Sequence, residues 1–165
     1  MERIEMPKIA KKKPRAKGTL KKKSIGKARL LVVDDEPDFA RMIQKSLGPS
    51  GYQVDVATSA TQAMGLQRKY AYDLAILDIL MPEMTGLELM QYLKVRDKKI
   101  FVIIMTAYGS LSVGIESLKK GAIDYLSKPF KLNSLKEKVA EALQRRSKFL
   151  EDQRVFLQRD TMDEW

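Results

Sequence analysis

Two rhythms of apolar residues alternate along this chain. Leu30-Leu31-Val32-Val33, Leu74-Ala75-Ile76-Leu77 and Ile100-Phe101-Val102-Ile103-Ile104-Met105 are continuous apolar runs. Such runs predict strands buried on both faces, as in parallel sheets. Val54 and Val56 alternate with Gln53 and Asp55, which predicts a more exposed strand, and residues 123–126 form a short fifth. Between the runs, apolar residues recur at helical spacing: Phe39, Met42, Ile43 and Leu47; Ala63, Met64, Leu66 and Gln67; Leu87, Met90 and Leu93, with Leu89; Val113, Ile115, Leu118 and Ala122. A last helix begins near Leu132. Pro37 suits a first helical turn, Ser59 an N-cap and Gly121 a C-cap. Five strand–helix units in strict alternation predict a doubly wound parallel α/β sheet with helices on both faces, joined by right-handed crossovers.

The polar residues at the strand ends are more selective. Asp34 and Asp35 follow the first run, Asp78 the third, Thr106 the fourth and Lys128 the fifth. In a parallel sheet these ends share the edge where ligands bind in open α/β folds. An isolated Asp at a strand end is most often a turn or cap residue, and Asp34-Asp35-Glu36 before a helix is ordinary dipole compensation. Their succession at one edge points to chemistry. Two carboxylates about 5 Å apart repel by roughly 3 kcal/mol at an effective dielectric near 20. Three make three such pairs, which one lysine cannot offset. A hard divalent cation such as Mg²⁺ fits, because it takes carboxylate, water and phosphate oxygens. Asp78 is then the candidate nucleophile toward phosphorus, Lys128 a point charge for a phosphate oxygen, and Thr106 a hydroxyl donor to another.

Composition narrows the chemistry. Among the 165 residues there is no Cys and no His, so thiolate or imidazole catalysis and Cys or His metal ligands are excluded. The lack of Cys fits a reducing cytoplasm. No apolar run approaches the roughly 20 residues of a membrane span, and no export signal or membrane insertion is expected. The net charge of +10 is concentrated at one end: residues 1–28 hold eleven Lys/Arg against Glu2 and Glu5, leaving 20 basic and 19 acidic residues for the remainder. We expect residues 1–28 to be a disordered basic tail. It is either a solvated arm or a contact for nucleic acid, an acidic partner or anionic lipid. It contains no aromatic residue for base stacking.

Four stretches together carry a family resemblance. They are Leu31-Val32-Val33-Asp34-Asp35-Glu36, Leu77-Asp78-Ile79-Leu80-Met81-Pro82-Glu83-Met84-Thr85-Gly86, Met105-Thr106-Ala107-Tyr108 and Asp124-Tyr125-Leu126-Ser127-Lys128-Pro129-Phe130. Over residues 29–147 the chain resembles response-regulator receiver domains of two-component signalling, most of all those of the nitrogen-regulator type. The resemblance implies a flavodoxin-like five-stranded sheet of order 2-1-3-4-5. It also implies that Asp78 takes a phosphoryl group from a histidine kinase or phosphotransfer protein. Asp35 would hold Mg²⁺ directly, Asp34 largely through water, and the Leu80 backbone carbonyl would add a ligand. Thr106 and Tyr125 would form the switch, and the Lys128–Pro129 bond would be cis. Leu80 and Tyr108, flanking the path of attacking water, are bulky and carry no carboxylate or amide to orient it, so self-dephosphorylation should be slow.

Leu143, Leu150 and Leu157 recur every seven residues, with Leu135, Val139, Phe149 and Phe156 nearby. A helix over residues 132–159 would be about 42 Å long at 1.5 Å per residue. Residues 148–165 are thus a helical extension or linker, either frayed or dimerising, with residues 160–165 an irregular acidic end. No Walker-type phosphate loop and no helix-turn-helix occurs in the 165 residues. The receiver therefore stands alone or works with an output domain outside this sequence. Two other readings compete with the phosphorylation switch. An interaction module would not need all five polar residues. An aspartyl phosphatase generally has a second Asp two residues after the nucleophile, where this chain has Leu80.

Overall fold

A computed structural model describes residues 28–107 and 111–160. The expected disorder of the tail, the role of Tyr108 and the character of residues 161–165 lie outside the described residues. The strands are β1 (Arg29–Val33), β2 (Gln53–Ala57), β3 (Leu74–Asp78), β4 (Phe101–Thr106) and β5 (Asp124–Ser127). The helices are α1 (Pro37–Leu47), α2 (Ala60–Lys69), α3 (Gly86–Arg96), α4 (Leu111–Lys119) and α5 (Leu132–Asp160). All strand pairs are parallel, in the order β2-β1-β3-β4-β5. The last two strands each begin one residue later than their apolar runs, which extends β4 to Thr106 and β5 to Ser127.

The local signals act as their chemistry requires. Pro37 opens α1, where its missing N–H has no intrahelical partner to lose. The Ser59 hydroxyl accepts from the Gln62 N–H at the start of α2. Thr85 and Glu88 form a reciprocal capping box on α3. Gly121 ends the α4 turn with φ 106°, a left-handed conformation that favours glycine.

The central strands separate two apolar layers. Leu31, Val33, Leu77, Val102 and Ile104 face α2 and α3, packing with Ala63, Leu89, Met90 and Leu93. Leu30, Val32, Ile76, Ile103 and Met105 face α1 and α5, packing with Ile43, Leu47, Leu135 and Val139. Each fully buried Leu or Ile contributes roughly 1.5–3 kcal/mol relative to exposure. That burial makes the sheet a rigid platform and fixes which residues emerge at its rims. The helix α5 is continuous over 29 residues. It passes the sheet at Phe149, whose ring lies 5.9 Å from that of Phe101.

Candidate phosphoryl-transfer site

Parallel strands bring their C-terminal ends to one rim. Asp34 follows β1, Asp78 ends β3, Thr106 ends β4, and Lys128 follows β5. Carboxylate oxygens of Asp34, Asp35 and Asp78 lie within 4.8 Å of one another. The Lys128 ammonium donates to Asp34 Oδ2 at 2.6 Å and stands 3.6 Å from Asp78 Oδ1. All four groups therefore meet, although Asp34 and Lys128 are 94 positions apart.

The three carboxylates are not equivalent. Asp34 is fully buried and already engaged: Oδ2 accepts from Lys128, and Oδ1 accepts from the Glu36 N–H. Asp35 is exposed. Asp78 is 6% exposed and lies farther from the lysine than Asp34 does. Its carboxyl is pushed up from 3.8 to about 6, first by burial, then by the Asp34 charge, with Lys128 opposing and Asp35 adding. The rim thus holds more negative charge than its lysine balances. Its donors are hard oxygens of the kind Mg²⁺ accepts, so the residues present fit such an ion.

Several supports of the site are tertiary. A Cβ on Gly86 would run into the Asp78 carbonyl, so glycine lets α3 start against the strand that ends in Asp78. The Ile79 N–H donates to Met105 O at 2.8 Å, and the Gly86 N–H returns to Ile79 O at 2.9 Å. The Lys128 N–H donates to Thr106 O at 2.7 Å, tying the β5 loop to β4. The Lys128–Pro129 peptide bond is cis. The ammonium of Lys128 also lies 4.2 Å from the centre of the Phe39 ring, which packs edge-on against Phe130. Sequence reasoning placed Phe39 in a helix and assigned it no part in the site, because nothing local links position 39 to position 128.

Thr106 is 1% exposed at the rim. Tyr125 lies two strands along from Asp78, half-buried, with its ring packed where a Cβ on Gly114 of α4 would fall. Leu80 is half exposed beside a cleft of about 820 Å³ between α3 and α4. The cleft is lined by Ile79, Leu87, Thr106 and Val113, with Glu88 among its charged residues. At its far end Gln91 donates to Lys120 O at 2.8 Å and Lys94 donates to Gly121 O, so α3 holds the turn that follows α4. The structure thus brings together Asp34, Asp35, Asp78 and Lys128, places Thr106 at their rim, and sets Tyr125 behind it against α4.

A five-stranded parallel sheet of this order, with an acidic cluster and a lysine at its C-terminal rim, defines the receiver class of two-component signalling proteins. Residues 30–140 match the response regulator receiver domain family, and the chain belongs to it. It is 37% identical over 123 residues to the response regulator protein PilR of Pseudomonas aeruginosa, an alignment covering 74% of this chain and 28% of that protein. It is 39% identical over 114 residues to the transcriptional regulatory protein ZraR of Escherichia coli, covering 69% and 26%. These relatives fit the nitrogen-regulator type, and the chain spans about a quarter of their length. Among solved structures, the response regulator protein TrrA of Thermotoga maritima, in complex with Mg²⁺-BeF, superposes with TM-score 0.63 at 36% identity, covering 70% of this chain and 98% of that one. No described helix is long and apolar enough to cross a membrane.

Proposed function

We propose that this receiver accepts a phosphoryl group on Asp78 and switches conformation to control a partner or an output domain. The observation that carries this reading is the convergence of Asp34, Asp35, Asp78 and Lys128 at one rim. The donor is the phosphohistidine of a histidine kinase or phosphotransfer protein. An Asp78 carboxylate oxygen attacks phosphorus in line; the P–O bond to Asp78 forms as the P–N bond breaks, and the electron pair leaves on the donor imidazole. Asp35 and Asp78, the Leu80 carbonyl, and Asp34 through water would hold Mg²⁺. That ion neutralises charge on the transferring group when bound.

The chain's own residues supply the rest. Lys128, already poised between Asp34 and Asp78, exchanges a carboxylate contact for a phosphate oxygen. Thr106 donates to a second oxygen, and Tyr125 reports that movement to α4 through its packing on Gly114. Leu80 carries no group to orient water, so the acyl phosphate should outlast a scale of seconds. The reaction is a self-modification, not substrate turnover, in a cytoplasmic signalling protein acting on transcription. The decisive experiment incubates the chain with a small phosphodonor and Mg²⁺ and follows its mass. One phosphoryl group should add at Asp78, and D78N or omission of Mg²⁺ should abolish the gain. Labelling that persists in D78N would overturn the assignment.

The exposed end of α5 favours pairing with a second copy. The stripe that buries Leu135, Val139 and Leu143 continues into Phe149, Phe156 and Leu157, which are 39%, 64% and 65% exposed. Sedimentation of the chain should show a dimer that F156E/L157E disperses while leaving the receiver folded. A monomer at every concentration would reject this pairing.

A further inference from the structure

We propose that Phe39 is a positioning residue for phosphoryl transfer: the face of its ring holds the Lys128 ammonium at the rim while that ammonium exchanges Asp34 for a phosphate oxygen. The inference rests on the reading of Asp78 as the phosphoryl acceptor and adds to it a residue from α1.

A lysine ammonium is a compact charge with three rotatable donors on a flexible four-carbon stem, so its direction must come from its surroundings. At this rim the root of the side chain is fixed, because the Lys128 N–H donates to Thr106 O at 2.7 Å. The tip meets three groups. Asp34 Oδ2 lies at 2.6 Å, Asp78 Oδ1 at 3.6 Å, and the centre of the Phe39 ring at 4.2 Å, with the ammonium over its face. Asp34 is not free to follow the lysine: it has no exposed surface, and its Oδ1 accepts from the Glu36 N–H at 3.0 Å. Lys128 must therefore move relative to Asp34 when it takes up a phosphate oxygen on Asp78. The third contact is the one that can persist through that movement.

An aromatic face suits the task in a way that another polar group would not. The attraction between a cation and a ring face has no hydrogen-bond angle to satisfy, so the ammonium can shift over the ring without breaking a bond. A further carboxylate would add negative charge to a rim that already holds three, and would compete with phosphate for the same donors. Water in place of the ring would solvate the ammonium and weaken its pull on the phosphate.

The ring is itself held in place. Phe39 lies in the first turn of α1, beside Ala40 and four residues before Ile43, both buried. Its ring packs edge-on with Phe130, two residues beyond Lys128, at 5.8 Å between centres and 69° between planes. Both rings are only half-buried. Filling the gap between α1 and the loop after β5 asks only for apolar volume. Setting a ring face against the ammonium asks for an aromatic residue.

The test measures phosphorylation of the whole chain by a small phosphodonor with Mg²⁺, and affinity for the phosphoryl analogue beryllofluoride. F39L should lower both by about fivefold. Mg²⁺ affinity, set by the carboxylates and measured by calorimetry, should stay within about twofold of the parent. F39Y, which keeps the ring face, should restore both. Mono-, di- and trifluorinated phenylalanine at position 39 should lower them stepwise, because fluorine drains the negative face of the ring at nearly constant shape. An unchanged F39L, an equal loss of Mg²⁺ affinity, or fluorinated rings that match the parent would each overturn the proposal, and all three leave Asp78 as the acceptor. A parent chain that gains no phosphoryl group at Asp78 would overturn that underlying reading and this one with it.

Discussion

The two rims of one sheet use the same side-chain types to opposite ends. Toward the rim opposite the phosphoryl site, Asp55 in the middle of β2 and Asp73 just before β3 each face an arginine, and the Tyr72 hydroxyl adds a 2.7 Å bond to Asp55. Burial, then the Asp55 contacts, push the Tyr72 phenol up, while Asp55 raises Arg29 in turn. Every charge in that network has its partner. At the strand C-termini, three carboxylates share one lysine, and burial forces Asp78 up to about 6. A paired carboxylate secures a fold. A carboxylate left in excess is a site waiting for a cation, and the imbalance itself marks the functional rim.

The sharpest way to break this contrast is Lys128→Met. It leaves Asp34, which has no exposed surface, without its counter-ion, and the chain should lose about 3 kcal/mol of unfolding free energy near neutral pH. Denaturant titration checks it; a loss under 1 kcal/mol would mean that the rim relaxes without its lysine. Phosphorylation by a small donor should fall with it.

The next effect has the opposite sign. Folding raises the Asp78 carboxyl from 3.8 to about 6, so between those values the folded protein holds a proton that the unfolded chain has released. Stability contributed by this group therefore grows as pH falls through about 6 and is lost as pH rises. Without Mg²⁺, D78N should be more stable than the parent at pH 7.5, by on the order of 2 kcal/mol, and the gap should narrow as pH falls below about 6 and close only near the unfolded value of 3.8. Mg²⁺ should narrow it from the other side by stabilising the parent. A gap independent of pH would refute the assignment to Asp78.

Arg146→Ala probes the balanced rim and should cost least, about 1 kcal/mol or less. Asp73 is 31% exposed and still accepts from the Arg29 backbone N–H at 2.8 Å. A loss approaching that of Lys128→Met would erase the distinction between the rims.

Much of this was legible in the chain itself. Apolar runs and helical periodicity specified five alternating units, and Pro37, Ser59 and Gly121 marked their ends, because those signals depend on backbone geometry alone. Parallel alternation then placed Asp34, Asp78, Thr106 and Lys128 at one edge, since strand direction decides which end a residue occupies. The four motifs supplied the strand order and the family. Tertiary structure alone decided how the charges are shared. The preference of Lys128 for Asp34 over Asp78, the Phe39 ring near its ammonium and the clearance at Gly86 arise between segments distant in sequence. So do the arginine pairs of the opposite rim: Arg29 meets Asp55 and Arg146 meets Asp73 only once the sheet is built. Local pattern determines where a side chain emerges; its protonation and partners depend on the neighbours and burial that packing imposes.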